Sequence, residues 1–230
     1  MKAMILAAGK GERMRPLTLD TPKPLLKAGG KPLIVHHIEN LRAAGFTDLV
    51  INHAWLGEQI EETLGSGAKF GVDIQYSAEN EPLETAGGIV RALPLLTDTE
   101  NSWFVVINGD IWTDFPLEQL QPPEDPRCQA LLVMTDNPEH NPAGDFSLQA
   151  NGKLADDGEN RLTFTGISLL HHALFAGLDD TAGKLGPVLR RAMAEQKVRG
   201  LHHRGQWMDI GTPQRLMELD HRLAEHGSQP

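Results

Sequence analysis

Four short stretches of the chain carry residue types suited to handling phosphate and a divalent cation. Leu6-Ala7-Ala8-Gly9-Lys10-Gly11-Glu12-Arg13 follows an apolar run. Small residues there let the backbone come close to a ligand, and successive amides can surround phosphate oxygens. Arg13 adds a charged fork that matches phosphate geometry. In Thr21-Pro22-Lys23-Pro24 two prolines restrict the backbone around a lysine, which lowers the cost of presenting its ammonium from what reads as an exposed loop. Asn108-Gly109-Asp110 ends a second apolar run, and an aspartate at the carboxyl end of a parallel strand faces a cleft with hard oxygen ligands for Mg²⁺. A second carboxylate, Asp209, stands in Trp207-Met208-Asp209-Ile210-Gly211-Thr212-Pro213. Taken singly, each stretch also has an ordinary reading: a tight turn, a solvated lysine, a turn aspartate bonded to its own backbone, a strand end. The glycine spacing is neither GxxxxGK[ST] nor GxGxxG, which argues against a Walker-type ATPase and a dehydrogenase.

The elements that must position these residues alternate. Apolar runs at 3–7, 49–51, 72–76 and 103–107 read as strands. Between them, helical spacing starts at Lys31-Pro32 with Pro32 in the first turn and Gly45 near the end, recurs over 55–64, and recurs again over 86–95, where Pro94 is expected to help stop the helix. Such alternation predicts a mostly parallel sheet covered on both faces, with ligands at the carboxyl ends of its strands. The later half is less regular. Strands are expected over 129–135 and 162–170, polar connections over 137–145 and 151–160, and helices over 184–195 and 212–225. Thr212 is placed as N-cap of the last helix with Pro213 at its first position, and residues 228–230 read as a frayed tail.

Composition narrows the classes. With 21 Lys and Arg against 31 Asp and Glu, the net charge of −10 repels a nucleic-acid backbone, and no basic cluster offsets it. No run approaches the roughly 20 apolar residues of a membrane span, and the opening residues do not build a signal peptide. A single cysteine, Cys128, forbids an internal disulfide and any Cys-rich metal site. The expectation is a cytoplasmic protein with neither nucleic-acid nor membrane partners. The adjacent pairs His36-His37, His171-His172 and His202-His203 do not make a transition-metal site, because neighbouring side chains on a helix or strand diverge. No internal repeat and no clean linker appears, so one domain over 1–230 is expected, with a nucleotide-binding core over about 1–110 and an intertwined sugar-binding part over about 111–230.

LAAGKGERM, TPKPLL, NGD and WMDIGTP, in this order over nearly the whole chain, resemble the sugar-nucleotide pyrophosphorylases, nucleotidyltransferases that act on sugar 1-phosphates. The resemblance implies a three-layer, Rossmann-like α/β fold with a mixed, mainly parallel sheet of the nucleotide-diphospho-sugar transferase type. It implies catalytic roles for Arg13 and Lys23, and a nucleoside triphosphate held by Leu6, Ala7, Ala8, Gly9, Gly11, Glu79, Pro82, Thr85, Gly87 and Asn108. It also implies a sugar pocket using Asp145, Thr165 and Gly166, and Mg²⁺ held by Asp110 and Asp209. Within the family INHAWLG, EPLETAGGI, NGDIWTD and LTFTGISLLHHALF resemble the branch that joins UTP to N-acetylmuramate α-1-phosphate in peptidoglycan recycling. For that substrate Arg91, Arg161 and Arg204 are equal possibilities for meeting the lactyl carboxylate. The chain departs from many relatives by carrying Ala155-Asp156-Asp157-Gly158-Glu159-Asn160-Arg161 where they have a Glu-Lys-Pro sugar motif. Other pairs remain as alternatives, dTTP with glucose 1-phosphate or GTP with mannose 1-phosphate, as does a nucleotide-sugar sensor without turnover. The presence together of Arg13, Lys23, Asp110 and Asp209 argues against the sensor. The short chain leads to the expectation of a monomer.

Overall fold

A computed structural model describes residues 1–98 and 102–226; the tail expected at 228–230 lies outside these residues. Elements follow in the order β1 (Lys2–Leu6), β2 (Lys27–Ala28), β3 (Lys31–Pro32), α1 (Leu33–Ala43), β4 (Asp48–His53), α2 (Gly57–Leu64), β5 (Asp73–Ala78), α3 (Glu84–Leu96), β6 (Trp103–Asn108) and β7 (Ile111–Thr113). There follow β8 (Ala130–Thr135), β9 (Phe146–Leu148), β10 (Leu154–Ala155), β11 (Arg161–His171), α4 (Leu185–Ala194), β12 (Val198–His203), β13 (Trp207–Asp209) and α5 (Pro213–His226).

Strands β6, β1, β4 and β5 run parallel. Because β11 pairs antiparallel with both β6 and β8, the second half of the chain extends the same sheet, and β12 completes that side parallel to β8. The sheet is therefore mixed and mainly parallel, as expected. Side-chain alternation decides the layers. Ala3 and Ile5 of β1 pack with Ile34 and Ile38 of α1 and Ile60 of α2 on one face, whereas Met4 packs with Ile89 of α3 and Leu189 of α4 on the other. A third apolar cluster joins Met14, Ala28, Leu33, Met208, Ile210, Leu216 and Leu219, so α5 clamps β2 and β13 beside the glycine loop.

Several expected boundaries are corrected. Pro32 is not in the first turn of α1: its ψ of 141° is extended and it forms β3 before the helix begins. Helix α2 starts at Gly57, not 55, because Leu56 takes a left-handed conformation at φ 53°. Pro94 does not stop α3, which continues to the fully buried Leu96. A proline near a helix's last turn removes one amide bond, and burial of the following residues on the sheet outweighs that loss. The supposed connection over 151–160 contains β10, whose two residues are too few to show a period. The expected cap at Thr212 is present, its Oγ1 accepting from the amide of Arg215 at 3.4 Å.

Candidate active site

A cleft of about 640 Å³ opens at the carboxyl ends of the parallel strands. Leu6, Ala7, Ala8, Gly9, Gly11 and Arg13 line it from the loop after β1. Its other sides carry Lys23, Glu79, Pro82, Thr85, Asn108 and Asp110. Gly11 sits at φ 64°, and a Cβ there would lie 2.9 Å from Thr18 Cγ2 and 3.3 Å from Lys23 Cβ. Its glycine identity is thus required by backbone and packing alike. At Gly9 a Cβ would meet nothing within 4 Å, so the fold does not demand a glycine there. Its smallness serves the open side of the loop.

A buried polar chain underlies this loop. Asn52, at the end of β4, accepts from the amide of Ala7 at 2.9 Å and donates to Glu79 Oε1 at 2.7 Å. The other carboxylate oxygen of Glu79 accepts from the amide of Leu83 at 2.9 Å. Glu79 is only 6% exposed, so its charge holds the loop over 79–83 against β4. Sequence reading missed Asn52; its only signal was an asparagine within INH at the end of a predicted strand. Gly88 makes room for this chain, since a Cβ there would lie 2.7 Å from Glu79 Oε1. Gly87, expected on the nucleotide side, packs the position of its missing side chain against the 180–183 segment. Its amide donates to Gly183 O at 3.3 Å, and a Cβ would stand 2.3 Å from Asp180 O. Close packing of α3 is what requires glycine there.

The two aspartates proposed from distant motifs are brought together. β13 pairs antiparallel with β7, Asp209 opposite Ile111, and the amide of Ile210 donates to Asp110 O at 2.8 Å. Lys23 was expected to be exposed, but it is 9% exposed, and its Nζ donates to Asp110 Oδ2 at 2.9 Å. The two prolines and the packing beside Gly11 draw its stem into the protein. Arg215, in the first turn of α5, donates from Nη1 to Asp209 Oδ2 at 2.7 Å, and His140 Nε2 lies 3.6 Å from the same oxygen. Arg13 reaches this corner too: a Cβ on Gly211 would contact Arg13 Nη1 at 3.3 Å and Asp209 Oδ1 at 3.1 Å. Beneath lies the buried His37, whose Nε2 has no hydrogen-bond partner among the described residues. Burial, with the charge of His36 second, lowers its pKa to about 4.

Oxygen donors of this kind suit Mg²⁺, which binds through one or two carboxylates and completes its shell with water and substrate phosphates. Asp110 Oδ1 and Asp209 Oδ1 accept no hydrogen bond among the described residues. No group of three His, Cys, Asp or Glu able to hold a metal is found among the described residues. The donor set therefore fits an ion that shares its ligands with a phosphate substrate.

Of the expected sugar-side residues, Thr165 turns its Oγ1 to Val133 O at 2.8 Å and is buried. Its carbonyl accepts from Trp207 Nε1 at 2.9 Å. Asp145 is likewise occupied, its Oδ2 accepting from the amide of Phe164 at 2.8 Å. Both side chains fasten backbone, Thr165 that of β8 and Asp145 that of β11. Gly166 lies at a register shift in β11 with φ 82°, against Asn108. The three arginines left open above can now be separated. Arg161 donates to the carbonyls of Ala143, Asp145 and Asp156, and Arg91 pairs with Asp180 at 3.7 Å. Arg204 is exposed.

A nucleotidyl transferase family model matches residues 2–155. The chain belongs to this family. It is 50% identical over 225 residues, covering 95% of this chain and 96% of the other, to the N-acetylmuramate alpha-1-phosphate uridylyltransferase of Neisseria meningitidis serogroup B. It is 33% identical over 221 residues to the mannose-1-phosphate guanylyltransferase catalytic subunit beta of Drosophila pseudoobscura pseudoobscura, covering 92% of this chain and 59% of that longer protein. Its fold matches a Bacillus anthracis structure bearing a glucose-1-phosphate thymidylyltransferase designation, with a TM-score of 0.83, 21% identity, and coverage of 98% and 96% of the two chains. As a member of this family the chain is an enzyme of the nucleotidyltransferase class, and its fold is the three-layer α/β arrangement expected. No helix among the described residues is long and apolar enough to cross a membrane.

Proposed function

We propose that the protein transfers the uridylyl group of UTP to N-acetyl-α-muramate 1-phosphate, releasing pyrophosphate and forming UDP-N-acetylmuramate for cell-wall recycling. The observation that carries the chemistry is the convergence, on one cleft, of the glycine loop, Arg13, Lys23 and Asp110, with Asp209 held next to Asp110 by the pairing of β13 with β7. The choice of base and sugar is supported by the near full-length likeness, at 50% identity, to a uridylyltransferase.

In this reading a sugar phosphate oxygen attacks the α-phosphorus of UTP, the new P–O bond forms, and the bond to the β-phosphate oxygen breaks. The attacking oxygen is already anionic, so no general base is required. What the protein must do is align two anions and neutralise the charge that moves. The amides over 7–11 and the guanidinium of Arg13 would hold the triphosphate, and the Lys23 ammonium would meet the α-phosphate. Pro82 and Thr85 would border the base, and Asn108 the ribose side. Asp145, Thr165 and Gly166 would shape the sugar pocket. Asp110 and Asp209 would hold Mg²⁺, which supplies electrostatic stabilisation of the phosphoryl oxygens. In this reading the protein acts as a monomeric transferase unit, with about 1–110 on the nucleotide side and about 111–230 on the sugar side. A cytoplasmic setting fits substrates of this kind.

The test is pyrophosphate release with Mg²⁺ across UTP, dTTP, GTP, CTP and ATP, each with N-acetylmuramate, N-acetylglucosamine, glucose and mannose 1-phosphates. Release confined to UTP with N-acetylmuramate 1-phosphate is expected. Preference for another pair would overturn the substrate assignment, and silence throughout would overturn turnover itself.

A further inference from the structure

Two cations stand on the two candidate metal carboxylates, and they are placed differently. Arg215 belongs to the first turn of α5, and besides Asp209 Oδ2 it reaches the carbonyl of Asp209 at 3.4 Å. Bonded to both the side chain and the backbone of Asp209, its guanidinium is a fixed support for that residue. Lys23 does line the cleft. Its stem is held by Pro22, Pro24 and the packing beside Gly11, while the ammonium at its end makes one contact with an acid, Asp110 Oδ2 at 2.9 Å. A lysine side chain 11% exposed has little water to turn to, so its ammonium must face Asp110 or another anion inside the cleft.

We infer that Lys23 acts as an internal counter-ion that competes with the divalent cation for Asp110, so that the cation is taken up together with the triphosphate and not before it. The inference rests on the assignment of Asp110 and Asp209 as the cation's ligands. Without nucleotide, an ion entering beside Asp110 meets the ammonium at the same carboxylate, and two like charges at that separation repel in a partly buried site. When a triphosphate occupies the glycine loop, its oxygens offer the ammonium a new anionic partner within the same cleft. Lys23 can then leave Asp110 by rotation of its flexible end, with the proline-bounded backbone unmoved. One rotation would take the competing charge away from the carboxylate and deliver it to the phosphate. Asp110 thereby keeps a partner in both states, which avoids leaving a carboxylate beside the buried His37 without one.

The experiment measures Mn²⁺ binding to the full chain by electron paramagnetic resonance, with and without UTP. The variants are Lys23→Met and Lys23→Gln, whose thermal unfolding is recorded alongside so that a fold defect in one leaves the other to be read. Without UTP, the wild type is expected to bind Mn²⁺ weakly and the neutral variants at least tenfold more tightly. With UTP the order reverses, the wild type binding the ion more tightly than either variant. Adding Asp110→Asn to Lys23→Met should abolish the gain. Mn²⁺ affinity of the free protein that is unchanged or weakened by loss of Lys23 would overturn the competition while leaving the metal site intact. Failure of the wild type to bind Mn²⁺ even with UTP would overturn the metal assignment itself, and the inference with it.

Discussion

Gly166 lies directly against Asn108: a Cβ on Gly166 would stand 2.6 Å from Asn108 Nδ2. This contact ties the register shift of β11 to the end of β6, where Asn108 lines the cleft. Gly166 also holds φ 82°, a conformation costing other residues roughly 1–2 kcal/mol. Gly166→Ala is therefore expected to lower the melting temperature and, by displacing Asn108, to reduce kcat/KM at least tenfold. Thermal unfolding and steady-state kinetics of the variant check this; unchanged kinetics would show that Asn108 has no part in substrate binding.

Asn52→Ala removes the acceptor for the Ala7 amide and the donor to the buried Glu79 carboxylate. Leaving such groups without partners costs about 2–3 kcal/mol. Urea unfolding should register that loss, and KM for the nucleotide should rise because the 79–83 loop and the glycine loop lose their shared anchor.

Protonation of His37 sets a pH dependence of folding. Its pKa falls from 6.5 to about 4 on burial, so between these values the unfolded chain binds a proton that the folded chain refuses. Stability from this residue is complete above pH 6.5 and drains away as the pH falls toward 4, by roughly 3 kcal/mol in all. Chemical denaturation from pH 7.5 to 4 should show this slope in the wild type and a shallower one in His37→Leu.

Asp110→Asn and Asp209→Asn are each expected to raise the Mg²⁺ concentration for half-maximal rate at least tenfold, since a neutral amide is a poorer ligand for a hard dication. Mg²⁺ titration of the initial rate measures it. Curves that superimpose on the wild type would remove these residues as ligands.

Arg161 serves as a brace, with donors on the carbonyls of Ala143, Asp145 and Asp156. Arg161→Lys cannot reproduce the planar fork and should raise KM for the sugar 1-phosphate several-fold while leaving KM for UTP unchanged. Product-formation kinetics with each substrate varied in turn separate the two.

Local chemistry was legible without the fold. Apolar runs, a capping threonine at 212 and glycine-rich segments at strand ends act over a few residues, so the α/β alternation, both carboxylate motifs and most cleft-lining residues could be named from the chain alone. The positive φ at Gly11 belongs to the same class, because a short loop leaving a strand between small residues calls for one. Tertiary structure alone decided which partners these residues meet. Lys23 and Asp110 lie 87 positions apart, and Asn52 on β4 and Glu79 in the loop after β5 lie 27 apart, so no periodicity records either bond. β7, β10 and β13 are too short for a pattern, yet the pairing of β7 with β13 is what sets Asp209 beside Asp110. The misreading of Lys23 as exposed has the same physical origin. Burial and facing depend on what the remote chain packs against a residue, and that is determined only when the sheet closes.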